Sequence, residues 1–412
     1  MARRTRLNPN LTLADGVAAF PRRDTRKLIA SEPTPTAVLQ PFKSALARRN
    51  SGLCKIAVFG DSSEEGQGAL PTTFDGRQYA WPERLGRLLR DKYPTDGLAN
   101  WAHPNWTSPQ LTSTVATGWT NGGWQATSYL GPDAKPFRST SEGNTLTFTT
   151  PIGVTAMDVV YTGGSGNTGF TVSIDGGAAS ATVLQTGQVR DGYKYPIDGL
   201  SPASAHTITL TSVGTISGPV GGHILHYGSR DKGIQVYNFG RAGSKTSDYL
   251  AGGAFSNNPG WLPNDPVTST TLCGPQAWRA FSPDLIIMAH GYNDMRWMTS
   301  DSFKANQIRL INAFRTFVAP KTVPVIFLTK WAPGASWAAD KPTFMPNYSQ
   351  VVTAMGEVAA AVPNALALDL SARIPFAQGD LSNTYGLHAD IVHGSNAGYQ
   401  MIADDVFSVL AS

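Results

Sequence analysis

The stretch KIAVFGDS, residues 55–62, joins a short apolar run to a Gly-Asp-Ser turn. An uninterrupted apolar run of this length is typical of a buried strand in a parallel sheet, and glycine permits the tight turn that follows. Beyond the turn, residues 81–90 have helical spacing, because Leu85, Leu88 and Leu89 fall on one face. This part of the chain therefore predicts a strand, a functional loop and a helix.

The same texture returns at Gly233 and continues to the C-terminus. Further parallel strands are predicted by the apolar runs at residues 234–240, 284–290, 323–329 and 365–370. Helix candidates lie between and after them, at residues 302–318, 348–361 and 396–410. Alternating strands and helices predict an α/β fold, a three-layer α/β/α sandwich with a parallel sheet, whose functional residues lie at the carboxyl ends of the strands.

Between these two parts, the chain is dominated by Thr, Ser and Gly. Short alternating runs appear at residues 145–149, 155–161, 169–174 and 206–211, and Asp175-Gly176 is typical of a hairpin turn. Several short strands at close spacing predict an inserted antiparallel β-sandwich. The region resembles the jelly-roll modules that serve as carbohydrate-binding domains. The alternative is a scaffold that only shapes the rim of the functional site.

Composition and charge exclude several classes of protein. With 41% apolar and 15% charged residues the chain is globular, and 412 residues are too many for one core, since single domains seldom exceed ~250 residues. The net charge of +4 is small, and the basic residues of the first fifty positions are not interleaved with aromatic ones, so we expect no nucleic-acid partner. We find neither a Sec signal peptide nor the ~20 apolar residues of a membrane span.

The cysteines and histidines give no metal or cofactor signature. Cys54 and Cys273 lack the Cys-x-x-Cys spacing of zinc or redox sites, and we expect core thiols, with one disulfide as the alternative. His290 and His388 have no cluster of ligand-spaced residues beside them. We therefore interpret them as satisfied rim or core histidines, and we expect no metal and no cofactor.

Four separated patches fall at predicted strand and helix ends. They are Gly60-Asp-Ser62, Asn238-Phe-Gly-Arg-Ala-Gly243, Gly291-Tyr-Asn-Asp294 and Asp390-Ile-Val-His393. In this order they resemble the four sequence blocks of the SGNH, or GDSL, hydrolases, a family of serine esterases. The resemblance covers residues 53–95 and 233–412.

The resemblance implies a catalytic triad and an oxyanion hole. Ser62 is then the nucleophile, His393 its general base, and Asp390 the carboxylate that orients the imidazole and stabilises its cation. The developing oxyanion needs preorganised donors, which the resemblance assigns to the backbone amides of Ser62 and Gly243 and the side-chain amide of Asn293. Gly240 stays an alternative to Gly243, because a large insert separates the first two blocks.

Other side chains near the four patches have a structural interpretation. The resemblance makes Asp61 and Asp294 supports of their loops rather than reacting groups. Trp297, Trp331 and Trp337 follow predicted strand ends, where their rings either stack on sugars or pack in the core.

The resemblance and the insert together divide the chain. We expect an extended N-terminal arm at residues 1–50 that adds nothing to the core. An SGNH hydrolase domain follows in residues 51–100 and 233–412, with a β-sandwich inserted at residues 101–232 as a candidate carbohydrate-binding module.

Three hypotheses for the function follow. The leading one is a carbohydrate esterase that removes acetyl or other short acyl groups from a polysaccharide. The second is a general esterase or lipase that acts on small or lipid esters. The third is a phage tail or cell-surface binding protein on a hydrolase scaffold, because an arginine-rich arm without a signal peptide suits assembly into a virion. These hypotheses favour an extracellular or virion-associated location.

Overall fold

The computed structural model describes residues 28–29, 35–69, 79–95, 97–102, 119–126, 137–163, 168–186, 192–214, 220–250, 278, 281–317, 323–334, 337, 343–371 and 387–412. The strands are β1 (Leu28–Ile29), β2 (Leu53–Phe59), β3 (Gly97–Ala102), β4 (Trp119–Gly122), β5 (Gln125–Ala126), β6 (Phe137–Arg138), β7 (Thr145–Thr149), β8 (Ala156–Thr162), β9 (Gly169–Ile174), β10 (Val183–Leu184), β11 (Gly192–Ile197), β12 (Thr207–Val213), β13 (Val220–Gly228), β14 (Gly233–Asn238), β15 (Leu285–Met288), β16 (Val325–Thr329) and β17 (Ala365–Asp369). The helices are α1 (Pro35–Ala47), α2 (Ser62–Glu65), α3 (Trp81–Lys92), α4 (Thr246–Leu250), α5 (Ser300–Phe317), α6 (Tyr348–Ala361) and α7 (Asn396–Leu410).

Six parallel strands form the centre of the larger sheet, in the order β17-β16-β15-β2-β14-β3. Every residue of β14, β15, β16 and β17 is buried, because helices cover both faces. The apolar runs at residues 55–60, 234–240, 284–290, 323–329 and 365–370 predict β2, β14, β15, β16 and β17 to within a few residues, whereas no run predicts β3. The predicted fold class, a three-layer α/β/α sandwich with a parallel sheet, is confirmed.

Helices pack on the sheet in two groups. In one group, α3 packs against α7 and β14. Two lysines tie this group to the end of the chain just after α7: Lys43 of α1 donates to the Ser412 carbonyl at 2.7 Å, and Lys92 of α3 donates to the Ala411 carbonyl at 3.1 Å. The other group joins α4 to α5, α5 to α6, and α6 to β16 and β17. Strand β2 lies between β14 and β15, so the loops that follow these three strands meet at one edge of the sheet.

The insert forms an antiparallel β-sandwich, as predicted. Its second sheet has the order β10-β9-β12-β7-β4, with the alternating burial of strands that cover a core on one face. The turn after β9 has positive φ at Asp175 (52°) and Gly176 (72°), and the Gly177 amide closes it on the Ile174 carbonyl at 2.9 Å. These are the dihedral signs of a type I′ hairpin turn, which Asp-Gly favours.

The first layer of the sandwich is a continuation of the larger sheet. Strand β13 pairs antiparallel with β3, and β8, β11, β6 and β5 extend the sheet beyond it. Because neighbouring residues of a strand point to opposite faces, Ile224 packs into the main core while Leu225 packs into the sandwich core. Val160 and Val159 of β8 are divided in the same way. The insert therefore shares strands with the main core.

The expectation of an extended, non-core arm at residues 1–50 is wrong for its last third. Residues Pro35–Ala47 form α1, and Val38, Leu39 and Phe42 are buried in the main core against β2 and β17. Pro35 occupies the first helical position, where its missing N–H has no partner to lose, and only Pro41 lies in the interior. Strand β1 pairs antiparallel with β17, and the rest of residues 1–34 lies outside the described residues.

Cys54 carries a free thiol that is buried in the main core, whereas Cys273 lies outside the described residues. Among the helices of the described residues, none combines the length and apolarity that a membrane crossing requires.

Candidate active site

Ser62 is the first residue of α2, a single helical turn at the carboxyl end of β2. The turn is closed by a capping box, in which the Asp61 carboxylate accepts from the Ser63 amide at 3.0 Å and Glu64 accepts from the Asp61 amide at 2.9 Å. A Cβ on Gly60 would overlap the Glu64 carboxyl group, so this position requires glycine. The Gly-Asp-Ser sequence therefore folds into a compact turn that exposes 7% of Ser62.

Ser62, His393 and Asp390 form one chain of hydrogen bonds. Ser62 Oγ lies 2.7 Å from His393 Nε2, and His393 Nδ1 lies 2.7 Å from Asp390 Oδ2. The other oxygen of Asp390 accepts from the amides of Val392 and His393, both at 2.7 Å. The structure thus brings together the three residues that sequence analysis assigns to a triad, from positions 331 apart.

The protonation state of Asp390 fixes the tautomer of His393. Burial opposes the charged carboxylate, but the hydrogen bonds and positive charge of His393 outweigh it and lower the pKa of Asp390 to about 2. An ionised carboxylate only accepts hydrogen bonds, so His393 Nδ1 carries a proton. In a neutral imidazole Nε2 then keeps its lone pair toward the Ser62 hydroxyl, which is the arrangement a general base needs.

The loop after β14 distinguishes Gly243 from Gly240. The Gly240 amide donates to Asn238 Oδ1 at 3.0 Å, and a Cβ at this glycine would lie 2.7 Å from the Glu65 amide nitrogen. Gly240 is therefore packed against α2 with its amide occupied. Gly243 has φ of +75° and open space where a Cβ would stand. Within the described part of the chain, no hydrogen bond uses the backbone amide of Gly243 or of Ser62.

Polar contacts hold this loop against α2. Asn238 Nδ2 donates to the Glu64 carbonyl at 2.6 Å, and the Ala242 amide donates to the Glu65 carboxylate. The hydroxyl of Ser244 donates to the Gly60 carbonyl at 2.8 Å. Asn238, the last residue of β14, therefore fixes the loop that follows it to α2.

Asn293 connects the third block to the same loop. Its side-chain Nδ2 donates to the Ser244 carbonyl at 3.1 Å, and the residue is half-buried. The next residue, Asp294, is fully buried and accepts from the amide and the hydroxyl of Thr246, at 2.9 and 2.6 Å. Asp294 thus fastens α4 to the third block, as expected of a loop support. Burial raises the pKa of this carboxyl to about 7.

Sequence analysis missed Lys330, a buried lysine directly after β16. Its ammonium lies 3.2 Å from Asp61 Oδ1 and 3.0 Å from Glu64 Oε2, and Glu64 also accepts from Trp81 Nε1 at 2.9 Å. The exposed fraction is 1% for the side chain of Lys330 and 0% for both carboxylates. No local pattern marks this lysine, because its partners lie more than 260 positions away. An apolar strand that ends in lysine is the signal that could have found it.

The remaining candidates have structural positions. His290 is 1% exposed and packs edge-on against Tyr249, and burial lowers its pKa to about 3. Neither of its ring nitrogens has a hydrogen-bond partner among the described residues, so the expectation of a satisfied histidine is wrong for His290. His388 packs edge-on against Trp331, and burial lowers its pKa too. Among the described residues, no group of three or more His, Cys, Asp or Glu side chains is arranged to hold a metal ion.

The three tryptophans divide between core and surface. Trp331 is fully buried and donates its indole N–H to the Val392 carbonyl at 2.9 Å, so it is a core residue. Trp337 donates to the Tyr292 carbonyl at 2.8 Å and carries the Arg296 guanidinium over its ring at 4.7 Å. Trp297 is 38% exposed.

Comparison with protein families finds a match in the C-terminal part of the chain. Residues 226–401 match the model of the GDSL-like lipase/acylhydrolase family. This part of the chain resembles a GDSL-like lipase/acylhydrolase domain. The matched residues contain Gly243, Asn293, Asp390 and His393, and they begin within β13, the last strand of the insert, so they do not include Ser62. A comparison with curated proteins found no match.

Solved structures extend the comparison of the GDSL-like domain to the whole fold. A peptidoglycan O-acetylesterase, 16% identical, matches 92% of this chain and 97% of its own with a TM-score of 0.59. A family two carbohydrate esterase from Clostridium thermocellum, in complex with cellohexaose, is 12% identical and matches 71% of this chain and 97% of its own, with a TM-score of 0.29. A family two carbohydrate esterase from Corynascus thermopiles (Myceliophthora fergusii) is 13% identical and matches 70% and 98%, with a TM-score of 0.32. The first match shows a shared fold, and the resemblance to SGNH hydrolases is confirmed.

Proposed function

We propose that the chain is a serine esterase of the SGNH type that removes acetyl or other short acyl groups from a polysaccharide. The observation that carries the proposal is the unbroken hydrogen-bond chain from Asp390 through His393 to Ser62, with 2.7 Å at each step. A nucleophile, a base and an orienting carboxylate in hydrogen-bond contact are the arrangement that acyl transfer by serine requires.

The proposed reaction has two halves. In the first, Ser62 Oγ attacks the ester carbonyl carbon while His393 Nε2 takes the hydroxyl proton. The intermediate then collapses to an acyl-serine, and His393 returns the proton to the departing sugar oxygen. In the second half His393 takes a proton from water, whose oxygen attacks the acyl-serine. Carboxylic acid leaves, and the proton goes back to Ser62.

We assign stabilisation of the oxyanion to three donors, the backbone amides of Ser62 and Gly243 and the side-chain amide of Asn293. Among the described residues, the amides of Ser62 and Gly243 make no hydrogen bond, and open space lies beside Gly243. Both observations support this assignment, since an oxyanion must approach its donors within hydrogen-bond distance. Gly240 is the weaker candidate, because its amide already donates to Asn238.

Two observations support a carbohydrate substrate. The pairing of β13 with β3 and with β8 joins the sandwich to the larger sheet by backbone hydrogen bonds, so a module of a type that binds carbohydrate is fixed to the proposed catalytic part. One solved structure that shares the fold is a peptidoglycan O-acetylesterase. We therefore place this chain among esterases of acylated polymers, and treat a general esterase or lipase as the competing activity.

The test is hydrolysis of p-nitrophenyl acetate, butyrate and octanoate by the wild type and by Ser62→Ala at pH 6 to 9. We expect the wild type to prefer acetate and Ser62→Ala to lose turnover. Release of acetate from O-acetylated peptidoglycan and from acetylated xylan then identifies the polymer. A preference for octanoate would favour the lipase hypothesis, and wild-type activity no higher than that of Ser62→Ala would favour a binding protein on a hydrolase scaffold.

A further inference from the structure

A buried cluster of three charged side chains lies beneath the turn that carries Ser62. The Lys330 ammonium is within 3.2 Å of Asp61 and within 3.1 Å of both oxygens of Glu64. All three side chains are at most 1% exposed. Taking charges out of water is unfavourable unless close partners compensate for the lost hydration, so removal of one member leaves an uncompensated charge.

The cluster holds one positive charge against two carboxylates. Burial works against the ammonium, but the carboxylates outweigh it and raise the pKa of Lys330. Burial also opposes an ionised Asp61, yet Lys330 keeps the pKa of that carboxyl below its usual range. Burial raises the pKa of Glu64 to about 7. The ammonium is therefore the group that lets these two acids lie side by side in the core.

Other titratable groups face the cluster from the elements around it. They are His290 after β15, Tyr292 in the third block, Tyr348 at the start of α6 and Tyr399 in α7. Burial keeps all four neutral, since it lowers the pKa of His290 to about 3 and raises the tyrosine pKa values well above 10. Lys330 is thus the one cation among these facing groups of the described chain.

The two carboxylates are the capping box of α2, and Ser62 lies between them. A helix of four residues has too few hydrogen bonds to keep its orientation unaided. Its direction depends on the atoms that hold Asp61 and Glu64, which include Lys330 and Trp81. A displacement of this turn would move both the Ser62 hydroxyl and the Ser62 amide.

The residue after Lys330 holds the other half of the triad. Trp331 Nε1 donates to the Val392 carbonyl, one residue before His393, at 2.9 Å. A Cβ on Gly394, one residue after His393, would lie 2.5 Å from the Trp331 ring, so the ring fits directly against this turn. Two consecutive residues at the end of β16 therefore contact the turn of the nucleophile and the turn of the base.

Lys330 is itself fixed on several sides. Its backbone amide donates to the Tyr348 hydroxyl at 3.1 Å, and its ammonium lies 4.4 Å from the centre of the Tyr292 ring. Tyr292 in turn donates its hydroxyl to the Trp331 carbonyl at 2.6 Å. A long lysine side chain held in this way has little freedom left, which is the property expected of a positioning group.

We propose that Lys330 is a positioning residue for Ser62, whose ammonium holds the Asp61–Glu64 capping box so that the nucleophile stays within hydrogen-bond reach of His393. The inference rests on the proposed esterase function. It assigns no contact between Lys330 and substrate. Small displacements of a nucleophile reduce turnover strongly, whereas they leave substrate contacts in place, so the effect belongs to kcat.

The first test compares Lys330→Met, which removes the charge at similar length, with Lys330→Arg, which keeps it. On p-nitrophenyl acetate we expect Lys330→Met to lower kcat by about 100-fold or more while KM changes by less than about threefold. Lys330→Arg should retain more of the wild-type kcat. The matched control is Lys304→Met on α5, where the lysine pairs at the surface with Asp301 and Glu357, and we expect it to leave both constants unchanged.

A second variant separates charge from packing. In Lys330→Met/Glu64→Gln one negative charge is removed together with the positive one, and we expect kcat to recover at least about tenfold relative to Lys330→Met. The kcat deficit of Lys330→Met should also grow as pH rises from 6 to 9. At low pH the two unpaired acids share a proton, and at high pH they repel each other as ions.

Thermal unfolding checks that each variant is folded. If Lys330→Met fails to fold, Glu64→Gln takes its place, and we expect kcat to be at least about tenfold lower than in the wild type, with KM unchanged. The Glu64 carboxylate accepts from the Asp61 amide, Trp81 Nε1 and Lys330 Nζ, and the NH2 group of glutamine would face one of these donors without an acceptor. An active wild type together with a Lys330→Met or Glu64→Gln variant of full kcat overturns this inference alone. A wild type no more active than Ser62→Ala overturns the proposed function and this inference with it.

Discussion

Asn293 carries the one proposed oxyanion donor that belongs to a side chain, so a point substitution can remove it. In Asn293→Ala the Nδ2 donor is lost, together with its 3.1 Å bond to the Ser244 carbonyl. We expect kcat on p-nitrophenyl acetate to fall by ~10² to 10³ with little change in KM, because the donor acts on the charge that develops in the transition state. Steady-state kinetics of the purified variant measure both constants.

The control for this prediction is Asn312→Ala, on the exposed face of α5. It makes the same chemical change away from the site, and we expect wild-type kinetics. Equal kcat for Asn293→Ala and Asn312→Ala would remove Asn293 from the proposed oxyanion hole.

Asp294 should make the stability of the protein depend on pH. Burial raises the pKa of this carboxyl to about 7, above the usual value of 3.8, so the folded state binds a proton more tightly than the unfolded state. The resulting stabilisation is complete below about pH 4 and is lost as pH rises to about 7. Relative to Asp294→Asn, which cannot ionise, we expect the free energy of unfolding of the wild type to fall by roughly 1.4 kcal/mol per pH unit across this window.

Denaturant unfolding of both proteins at pH 4, 5.5, 7 and 8 measures this difference. The isosteric asparagine keeps an oxygen that can accept from the amide and the hydroxyl of Thr246. A difference between the two proteins that stays constant from pH 4 to pH 8 would mean that Asp294 does not change its protonation in this range on folding.

At the residue scale, sequence could predict the side chains that follow a family pattern and not those that pair across the fold. Four of the candidate residues each lie in a short sequence block, and the order of the blocks is enough to predict them without any knowledge of distances: Ser62, Asn293, Asp390 and His393. Lys330 has no block, since its partners are brought to it by the parallel pairing of β16 with β15 and β15 with β2. A buried ion pair between distant positions leaves no periodic trace in the sequence.

At the scale of elements, α1 contributes more to the main core than its sequence suggests. Phe42 is completely buried between this helix and the sheet. We expect Phe42→Ala to lower the free energy of unfolding by about 3–5 kcal/mol, because truncation removes buried apolar surface and leaves a cavity. Chemical denaturation at pH 7 measures the change.

Gln40→Ala, on the exposed face of the same helix, is the matched control, and we expect less than about 0.5 kcal/mol of change. A loss below about 1 kcal/mol in Phe42→Ala would show that α1 is not part of the cooperative core.

The sequence pattern predicts some elements better than others for a physical reason. Strands such as β15 and β16 are covered on both faces, so they appear as apolar runs that no surface helix imitates. In α1 two prolines obscure an ordinary helical stripe, since Val38, Leu39, Phe42, Ala45 and Leu46 recur at helical spacing. One of these prolines is harmless at the first position, and packing against the sheet outweighs the cost of the other.

At the scale of the whole molecule, the shared strands should make the two cores unfold together. Leu210 lies in the sandwich core on β12, away from the hydrolase. We expect Leu210→Ala to cost about 2–5 kcal/mol and to lower one common melting temperature, as seen by calorimetry and by loss of esterase activity in the same temperature range.

Thr207→Ala, at an exposed position of the same strand, serves as control and should leave the melting temperature unchanged. Two separate transitions in Leu210→Ala, with activity retained through the first, would mean that the sandwich unfolds as an independent body.

The continuity of the sheet is also what the sequence could not convey. Alternating strands predict a sandwich, and the sandwich is present, but the pairing of β13 with β3 joins segments about 120 positions apart. Strand pairing over such separations depends on which edges are available in the folded chain, and a single sequence does not encode edges locally.

In the described part of the chain, β13 pairs with both β3 and β8, so backbone hydrogen bonds rather than a flexible linker join the insert to the sheet that carries the serine. A polymer bound to the inserted sandwich would therefore reach the turn that carries Ser62 at a fixed distance and a fixed angle. Such an enzyme would cut acyl groups at a preferred interval along its substrate, so the spacing of the groups that remain would record the geometry of the protein.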